Sequence, residues 1–312
     1  MLSDAKRLEQ ANTCHDEDPA LAAKLLRAID AAGLPAERWP AYAFLLNHVL
    51  GEKLLRWDDA LQRLRTLLRL AQPGPPVALW RQAATAALIT RDPELERVMT
   101  ESLAEASGAS LANAQALVHL SAAMFQAPAS LALAAGEQVL AALAPLQRPD
   151  WQADNPLDAA VAACANNIAN GLLERPATDL RHAPVRSALA QAAEQAHRFW
   201  LRAGDWVNHE RALYLRAMVC NALDEAAWAR GHAQAALALL DQHDIDQAQR
   251  IDRAFIELEQ WHACVVLGRT SDASPALSRA KALAAGFDDD AWRQSFEQRE
   301  RELQRRQAGA AA

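Results

Sequence analysis

Apolar residues recur every three or four positions along most of this chain, a spacing typical of amphipathic α-helices. The turns between these stretches are mostly two to six residues long, which favours antiparallel helix hairpins. No stretch alternates apolar and polar residues long enough to predict a β-strand. The pattern predicts about fourteen or fifteen helical segments, with approximate spans 3–13, 18–32, 36–55, 57–71, 76–90, 92–107, 109–126, 129–144, 156–174, 184–203, 206–223, 225–241, 246–267, 271–285 and 288–307.

Several predicted helix starts carry a capping side chain followed by proline, which suits the first helical position. These pairs are Asp18-Pro19, Asp92-Pro93, Asn155-Pro156 and Ser274-Pro275. Two connections, 145–155 and 175–183, are longer and contain proline, and the first is a candidate hinge. Because composition changes little along the chain, the sequence predicts a single helical repeat domain over 1–308 and a disordered Ala-rich tail over 309–312.

Composition supports an all-α fold. Hydrophobic residues make up 51% of the chain, most of them Ala and Leu, and glycine is limited to 11 of 312 residues. Ala and Leu are strong helix formers, whereas the β-branched residues that a sheet core needs are scarce. The formal net charge is −7, so the chain has no basic field to hold a phosphate backbone, and direct nucleic-acid binding is not expected.

Cysteine usage and hydropathy indicate a cytoplasmic protein with no membrane partner. The four cysteines are far apart and form no Cys-x-x-Cys pair, which fits a reducing compartment better than a disulfide framework. No apolar run approaches the roughly 20 residues that a membrane-spanning helix needs. The first residues lead directly into charged sequence without an apolar leader segment.

A repeat is visible in the C-terminal half. The residues Asp224, Ala229, Ala233 and Ala236 match Gly268, Ala273, Leu277 and Ala280, 44 residues later. A turn residue followed by small and apolar positions at these offsets resembles the second helix of a tetratricopeptide repeat (TPR), best over 205–286. The resemblance implies a TPR-like α-solenoid, a right-handed superhelical array of about seven antiparallel helix hairpins. HEAT-like repeats, with periods of about 40–47 residues, remain an alternative.

The resemblance also implies which side chains line the inner surface of such an array. If Leu213 is the fourth position of a repeat, these are Arg211, Tyr214, Met218 and Asn221, and His262 occupies a matching position one unit later. Asn166, Asn167 and Asn170 form a second candidate, since Asn is a poor mid-helix residue and in peptide-binding TPR proteins it often holds the ligand backbone. We therefore expect these eight residues to bind a peptide. The structural alternative for the three asparagines is that their amides bridge adjacent helices or bond the irregular 175–183 loop.

Signatures of catalysis are absent from the sequence. It contains no glycine-rich phosphate loop, no Gly-x-Ser-x-Gly and no His-Glu-x-x-His. No two histidines share helical spacing, and His48 with Glu52 or Glu194 with His197 offers only two ligands, so neither a metal nor another cofactor is predicted.

The favoured function is a scaffold or adaptor that binds a peptide or protein segment without catalysis. Two alternatives remain at this stage. One is a ligand-sensing regulatory protein, and the other is an enzyme with a site between helices around 197–221, where aromatic, ionic and amide side chains are concentrated.

Overall fold

The computed structural model describes residues 2–71, 74–148, 151 and 154–310. Within these ranges the protein is built from fifteen α-helices and contains no strand, which confirms the predicted all-α fold. The chain divides into two compact units, Met1–Cys164 and Ala165–Ala312, here called the N-terminal and C-terminal units. The boundary falls within the ninth helix.

The helices of the N-terminal unit follow the predicted segments closely. A π-helical segment, Leu46–Lys53, follows α3 with no intervening turn, so that the two form one continuous helix. The helices are α1 (Asp4–Cys14), α2 (Pro19–Arg27), α3 (Trp39–Leu45), α4 (Trp57–Leu70), α5 (Val77–Ile89), α6 (Pro93–Ser107), α7 (Leu111–Gln126), α8 (Ala132–Leu143) and α9 (Asp158–Leu173), the last of which crosses into the C-terminal unit.

The C-terminal unit contains the longest helices. They are α10 (Ala183–Ala203), α11 (Trp206–Ala222), α12 (Ala226–His243), α13 (Arg250–Val266), α14 (Thr270–Ala284) and α15 (Asp290–Ala310). Helix α15 extends through 309 and 310, two positions of the predicted tail, and 311 and 312 lie outside the described residues. Of the candidate hinge at 145–155, positions 149, 150, 152 and 153 also lie outside them.

Two of the four predicted cap–proline pairs cap a helix start. Asp18 accepts a hydrogen bond from the Leu21 amide at 2.9 Å, and Asp92 accepts one from the Leu95 amide at 3.0 Å, so that one otherwise unpaired N–H is satisfied at each end. The prediction that Ser274-Pro275 starts a helix is wrong. Helix α14 begins at Thr270, directly after the turn at Gly268, and Pro275 lies inside it.

The predicted repeat has a structural counterpart in two equivalent turns. Asp224 and Gly268 both adopt left-handed backbone conformations, with φ of 65° and 69°. In each turn the next amide, of Glu225 or Arg269, donates to a carbonyl five residues back at 2.8 Å. The small residues that follow are buried, with Ala229, Ala233, Ala236 and Ala280 fully inaccessible. Alanine at these positions lets the two helices of each hairpin pack closely.

Within each unit, helices pack on their sequence neighbours and also on the next helix but one. The second kind of contact joins α3 to α5 and α5 to α7 in the N-terminal unit, and α11 to α13 and α13 to α15 in the C-terminal unit. In each unit these alternate helices therefore pack side by side. Such an arrangement lets neighbouring hairpins cover apolar faces that a single hairpin would leave exposed.

Helix α13 is enclosed on all sides. Nine consecutive residues, 256–264, are buried, including Glu257, Glu259 and His262. A helix that is buried around its whole circumference lies inside a core and presents no open face to a ligand.

None of the described helices has the length and apolar character needed to cross a membrane.

Candidate functional site

The three asparagines predicted on α9 lie at or near the surface. Asn166 and Asn170 are half-buried, and Asn167 is exposed. The Asn166 amide donates to Asn167 Oδ1 at 3.5 Å, a long contact between adjacent side chains. This part of α9 therefore presents amide groups at the surface.

The predicted residues on α11 are held mainly by contacts within the C-terminal unit. Exposed Arg211 donates to Asp252 at 2.8 Å and to Gln249 at 3.2 Å. Asn221 is buried, and its amide donates to the backbone carbonyl of Glu259 at 3.1 Å and to its carboxylate at 2.8 Å. Met218 and Tyr214 are half-buried. These contacts join α11 to α13 and its flanking turn.

Helix α15 covers the part of α13 that carries His262. Gln307 on α15 lies 3.2 Å from His262 Nδ1, and Arg299 donates to Glu259 at 2.7 Å. Phe296 packs edge-to-face against Phe255 with ring centroids 5.7 Å apart. Burial, followed by the negative charge of Glu259, raises the pKa of the Tyr214 phenol. The chain's own C-terminal helix therefore occupies the surface where the sequence places part of a peptide groove.

The region around 197–221 contributes to a cavity of about 240 Å³ among α10, α11 and α12. Burial lowers the pKa of His232 to about 4, and the positive charge of Arg216 acts in the same direction. Burial also raises the pKa of the Cys220 thiol to about 11, helped by Glu225. At neutral pH the cavity thus holds a protonated thiol and a neutral imidazole, the reverse of an activated thiolate–imidazolium pair.

A larger groove of about 550 Å³ lies in the N-terminal unit between α5, α7 and the end of α8, within the range typical of ligand sites. One face of α7 forms its length, with lining residues at i, i+3, i+4, i+7, i+10, i+11 and i+14. The groove is lined by Leu88, Ile89, Ala112, Gln115, Ala116, His119, Ala122, Ala123, Gln126, Gln138, Ala141, Ala142, Pro145 and Arg148. We call it the α7 groove.

Alanine forms the floor of the α7 groove and amides stand along it. Ala116, Ala122 and Ala123 are buried, whereas Gln115 and His119 are exposed. Gln138 on α8 donates to Gln126 on α7 at 2.5 Å, which links the two helices across the groove. The small floor leaves room above α7, and the amides supply both donors and acceptors to whatever lies there.

Charge in the groove comes from Arg148. Among the fourteen lining residues, all of them in the described part of the chain, Arg148 alone carries a permanent charge. It is exposed, so its guanidinium can turn toward a carboxylate and bind it through two parallel hydrogen bonds. The electrostatic preference of the groove is therefore for an anionic group.

Sequence reasoning did not select any residue of the α7 groove. In an Ala-rich chain, a stripe of alanines looks like a packing face, and glutamine is an ordinary helix-surface residue. A search for polar residues on the same face as several alanines would have found Gln115, His119 and Gln126. These polar residues share one face of α7 with Ala112, Ala116, Ala122 and Ala123.

No protein-family model matches the chain, and no curated protein is significantly similar to it in sequence.

Proposed function

We propose that this protein is a TPR-like binding module that holds an extended segment of a partner protein in the α7 groove. The fifteen helices then form about seven TPR-like hairpins with right-handed winding within each unit. The four free cysteines, three of them buried, favour a reducing compartment such as the cytoplasm. The module acts by binding, and no catalytic step is assigned to it.

The shape and chemistry of the α7 groove carry this proposal. It is open, long and floored by small side chains, and its polar groups are mostly neutral amides. An extended peptide has one donor and one acceptor at each residue, and glutamine side chains can pair with both. A pocket built for acid–base chemistry would instead concentrate groups with displaced pKa values.

The dimensions also suit a peptide. At 1.5 Å per residue, the stretch of α7 from Ala112 to Gln126 is about 21 Å long. A fully extended chain advances about 3.3–3.6 Å per residue, so the groove accommodates roughly six residues. Small partner side chains fit against Ala116 and Ala123, and Leu88 with Ile89 offers an apolar contact from α5. Arg148 favours an acidic side chain or a terminal carboxylate.

A blocking substitution tests the proposal. Random peptides displayed on phage are selected on the wild-type protein, and the affinities of the enriched peptides are measured by fluorescence anisotropy. Ala141→Trp places an indole at an exposed position of the groove wall. We expect it to weaken binding by at least about tenfold, or 1.4 kcal/mol.

The matched control is Ala106→Trp, which makes the same change at an exposed position of α6 that does not line the groove. It should leave affinity unchanged. Arg148→Gln should weaken acidic peptides more than neutral ones. If no peptide is enriched, or if enriched peptides bind the Ala141→Trp protein as tightly as the wild type, the groove is not the binding site.

A further inference from the structure

A second cluster of chemically active side chains lies in the N-terminal unit, where the end of α1 meets the π-helical segment. It contains His15, Asp16 and His48, and one ligand atom from each lies within 4.8 Å of the others. His15 Nε2 is 3.3 Å from Asp16 Oδ2, and His48 Nε2 is 3.8 Å from Asp16 Oδ1. Around a tetrahedral zinc ion, ligand atoms at about 2.0–2.1 Å from the metal are roughly 3.3 Å apart. Small side-chain rotations therefore bring the three groups to coordinating distance.

The hydrogen bonds on the far side of each imidazole determine which nitrogen is free. His15 Nδ1 is 2.6 Å from the backbone carbonyl of Asn12, and His48 Nδ1 is 2.6 Å from Glu52 Oε2. Both partners are acceptors, so in the neutral form of each ring Nδ1 carries the proton and Nε2 carries the lone pair. The two lone pairs face Asp16. Metal-binding histidines are usually oriented by this kind of hydrogen bond to a carbonyl or a carboxylate.

Packing restricts the second imidazole before any ligand arrives. His48 stacks on Phe44 with ring centroids 5.5 Å apart and contacts His15 edge-to-face at 5.0 Å. The side chains of His48 and Glu52 are only 16% and 14% exposed, whereas that of Asp16 is 66% exposed. Two oriented nitrogens and one accessible carboxylate leave room for water or another ligand on a bound ion.

The backbone around His48 has an uncommon, π-helical conformation. His48, Glu52 and Lys53 all belong to the π-helical segment, and π-turns within helices occur frequently at functional sites. The segment is also tightly fitted, because a Cβ at Gly51 would lie 2.5–2.7 Å from ring atoms of Trp57. It is followed by Leu55 with a φ of 56°, a left-handed conformation that a leucine rarely adopts.

The ammonium group of Lys53 already contacts the carboxylate of this cluster. Its nitrogen is 3.0 Å from Asp16 Oδ1, while Oδ2 faces His15. A divalent ion bound between the Asp16 carboxylate and the two Nε2 atoms would be repelled by the lysine charge. Lys53 should therefore weaken metal binding.

We propose that His15, Asp16 and His48 form a binding site for a divalent transition-metal ion of the zinc class, with Glu52 orienting His48. Two imidazoles and a carboxylate form a ligand set that such ions accept, whereas Mg²⁺ and Ca²⁺ prefer oxygen ligands. No residue of this site lines the α7 groove, so the proposal is independent of the peptide-binding function.

Titration of the full chain with Zn²⁺ by isothermal calorimetry tests the proposal. The measurements are made in a Cys14→Ser background, since Cys14 is a partly exposed free thiol next to the site. We expect one saturable equivalent for Zn²⁺, a visible absorption spectrum with Co²⁺, and no binding of Mg²⁺. His48→Ala and His15→Ala should each weaken affinity by about 100-fold or more, and Glu52→Gln by about 10–100-fold.

Two further variants separate coordination from a purely structural role. Lys53→Met should tighten binding several-fold, whereas removal of a merely structural ion pair would leave metal affinity unchanged. His182→Ala, at an exposed histidine of the C-terminal unit, is the matched control and should bind as the parent does. Circular dichroism establishes that each variant is folded, and His15→Ala serves if His48→Ala is not. The absence of saturable binding, or affinity unchanged in the folded histidine variants, would overturn the proposal.

Discussion

Glu210 is fully buried on α11, and neither of its carboxylate oxygens has a hydrogen-bond partner among the described residues. A buried carboxylate without partners is costly in its charged form. Burial therefore raises the pKa of Glu210 to about 8, with a further contribution from the negative charge of Asp252. The side chain is neutral in the folded protein at neutral pH, whereas the same group in the unfolded chain is ionised.

This difference predicts how stability depends on pH. Between about pH 4.5 and 8 the folded state holds a proton that the unfolded state releases, so this group makes the free energy of unfolding fall as pH rises. Glu210→Gln removes that dependence. We expect the variant to be close to wild type at pH 5 and more stable at pH 9, by on the order of a few kcal/mol. Urea unfolding at both pH values measures the effect. Exposed Glu174→Gln is the control, and an equal gain in both variants would contradict the assignment.

Residue-level function was harder to predict than residue-level structure. Asn221 and His262 were assigned to a peptide surface from their spacing along α11 and α13, yet their side chains contact Glu259 and Gln307. Which face of a helix stays open depends on the helix that packs next to it, and spacing within one helix does not contain that information. His15 follows α1 and His48 lies in the π-helical segment, 33 residues later, so no local pattern could have paired them.

At the scale of the element, α15 is attached through few apolar contacts. Among its described side chains only Phe296 and Leu303 are buried, and Trp292 is 46% exposed. The polar attachment centres on Arg299, which donates to Glu259 at 2.7 Å and to Glu302 at 2.9 Å. Glu259 is fully buried, so its charge depends on Arg299 and on the Asn221 amide.

Removing one partner of the Arg299–Glu259 ion pair should strongly destabilise the C-terminal unit. Arg299→Met preserves most of the side-chain length but leaves Glu259 buried without its counter-charge. Such changes typically cost about 3–5 kcal/mol, so we expect a large drop in the urea midpoint of the C-terminal unit. Arg301→Met is the control, since Arg301 is exposed and pairs with exposed Glu297. Its effect should stay within about 0.5 kcal/mol. Equal effects would show that the ion pair does not anchor α15.

Replacement by alanine should have opposite effects on stability at Gly51, in the π-helical segment, and at Gly231, in α12. Alanine normally stabilises a helix by roughly 0.5–1 kcal/mol relative to glycine. Gly231 in α12 has open space where an added methyl group would lie, so Gly231→Ala should raise the melting temperature. At Gly51 the added methyl would collide with Trp57, and Gly51→Ala should lower it. Thermal unfolding followed by circular dichroism distinguishes the two signs. Stabilisation by Gly51→Ala would mean that the segment relaxes easily around Trp57.

Elements were the most predictable level of this protein. Apolar spacing located all fifteen helices, and Asp224 with Gly268 identified equivalent turns, because both depend on neighbours in sequence. The π-helical geometry of Leu46–Lys53 was not predicted, since the apolar pattern there fits an ordinary helix. Pro275 was misplaced because the preceding turn, rather than the proline, set the start of α14.

At the scale of the whole molecule, the local stability of each helix should increase with the extent to which neighbouring helices cover it. In a helical array each element is stabilised mainly by its neighbours, so central helices lose contacts last. Within the C-terminal unit α13 packs against α11, α12, α14 and α15, and its residues 256–264 are all buried. The single-domain prediction over 1–308 rests on sequence uniformity, whereas the packing divides the chain within α9.

Native-state hydrogen exchange tests this gradient. Amides of α13 should exchange only through unfolding of most of the C-terminal unit, whereas those of α15 should exchange when that helix alone detaches. We expect protection in α15 to be at least about tenfold lower, equivalent to 1.4 kcal/mol. Arg299→Met should accelerate exchange in α15 far more than in α12, because the Arg299 side chain joins α15 to Glu259 of α13. Equal protection of α13 and α15 in the wild type would instead show that the terminal helix unfolds together with the core it covers.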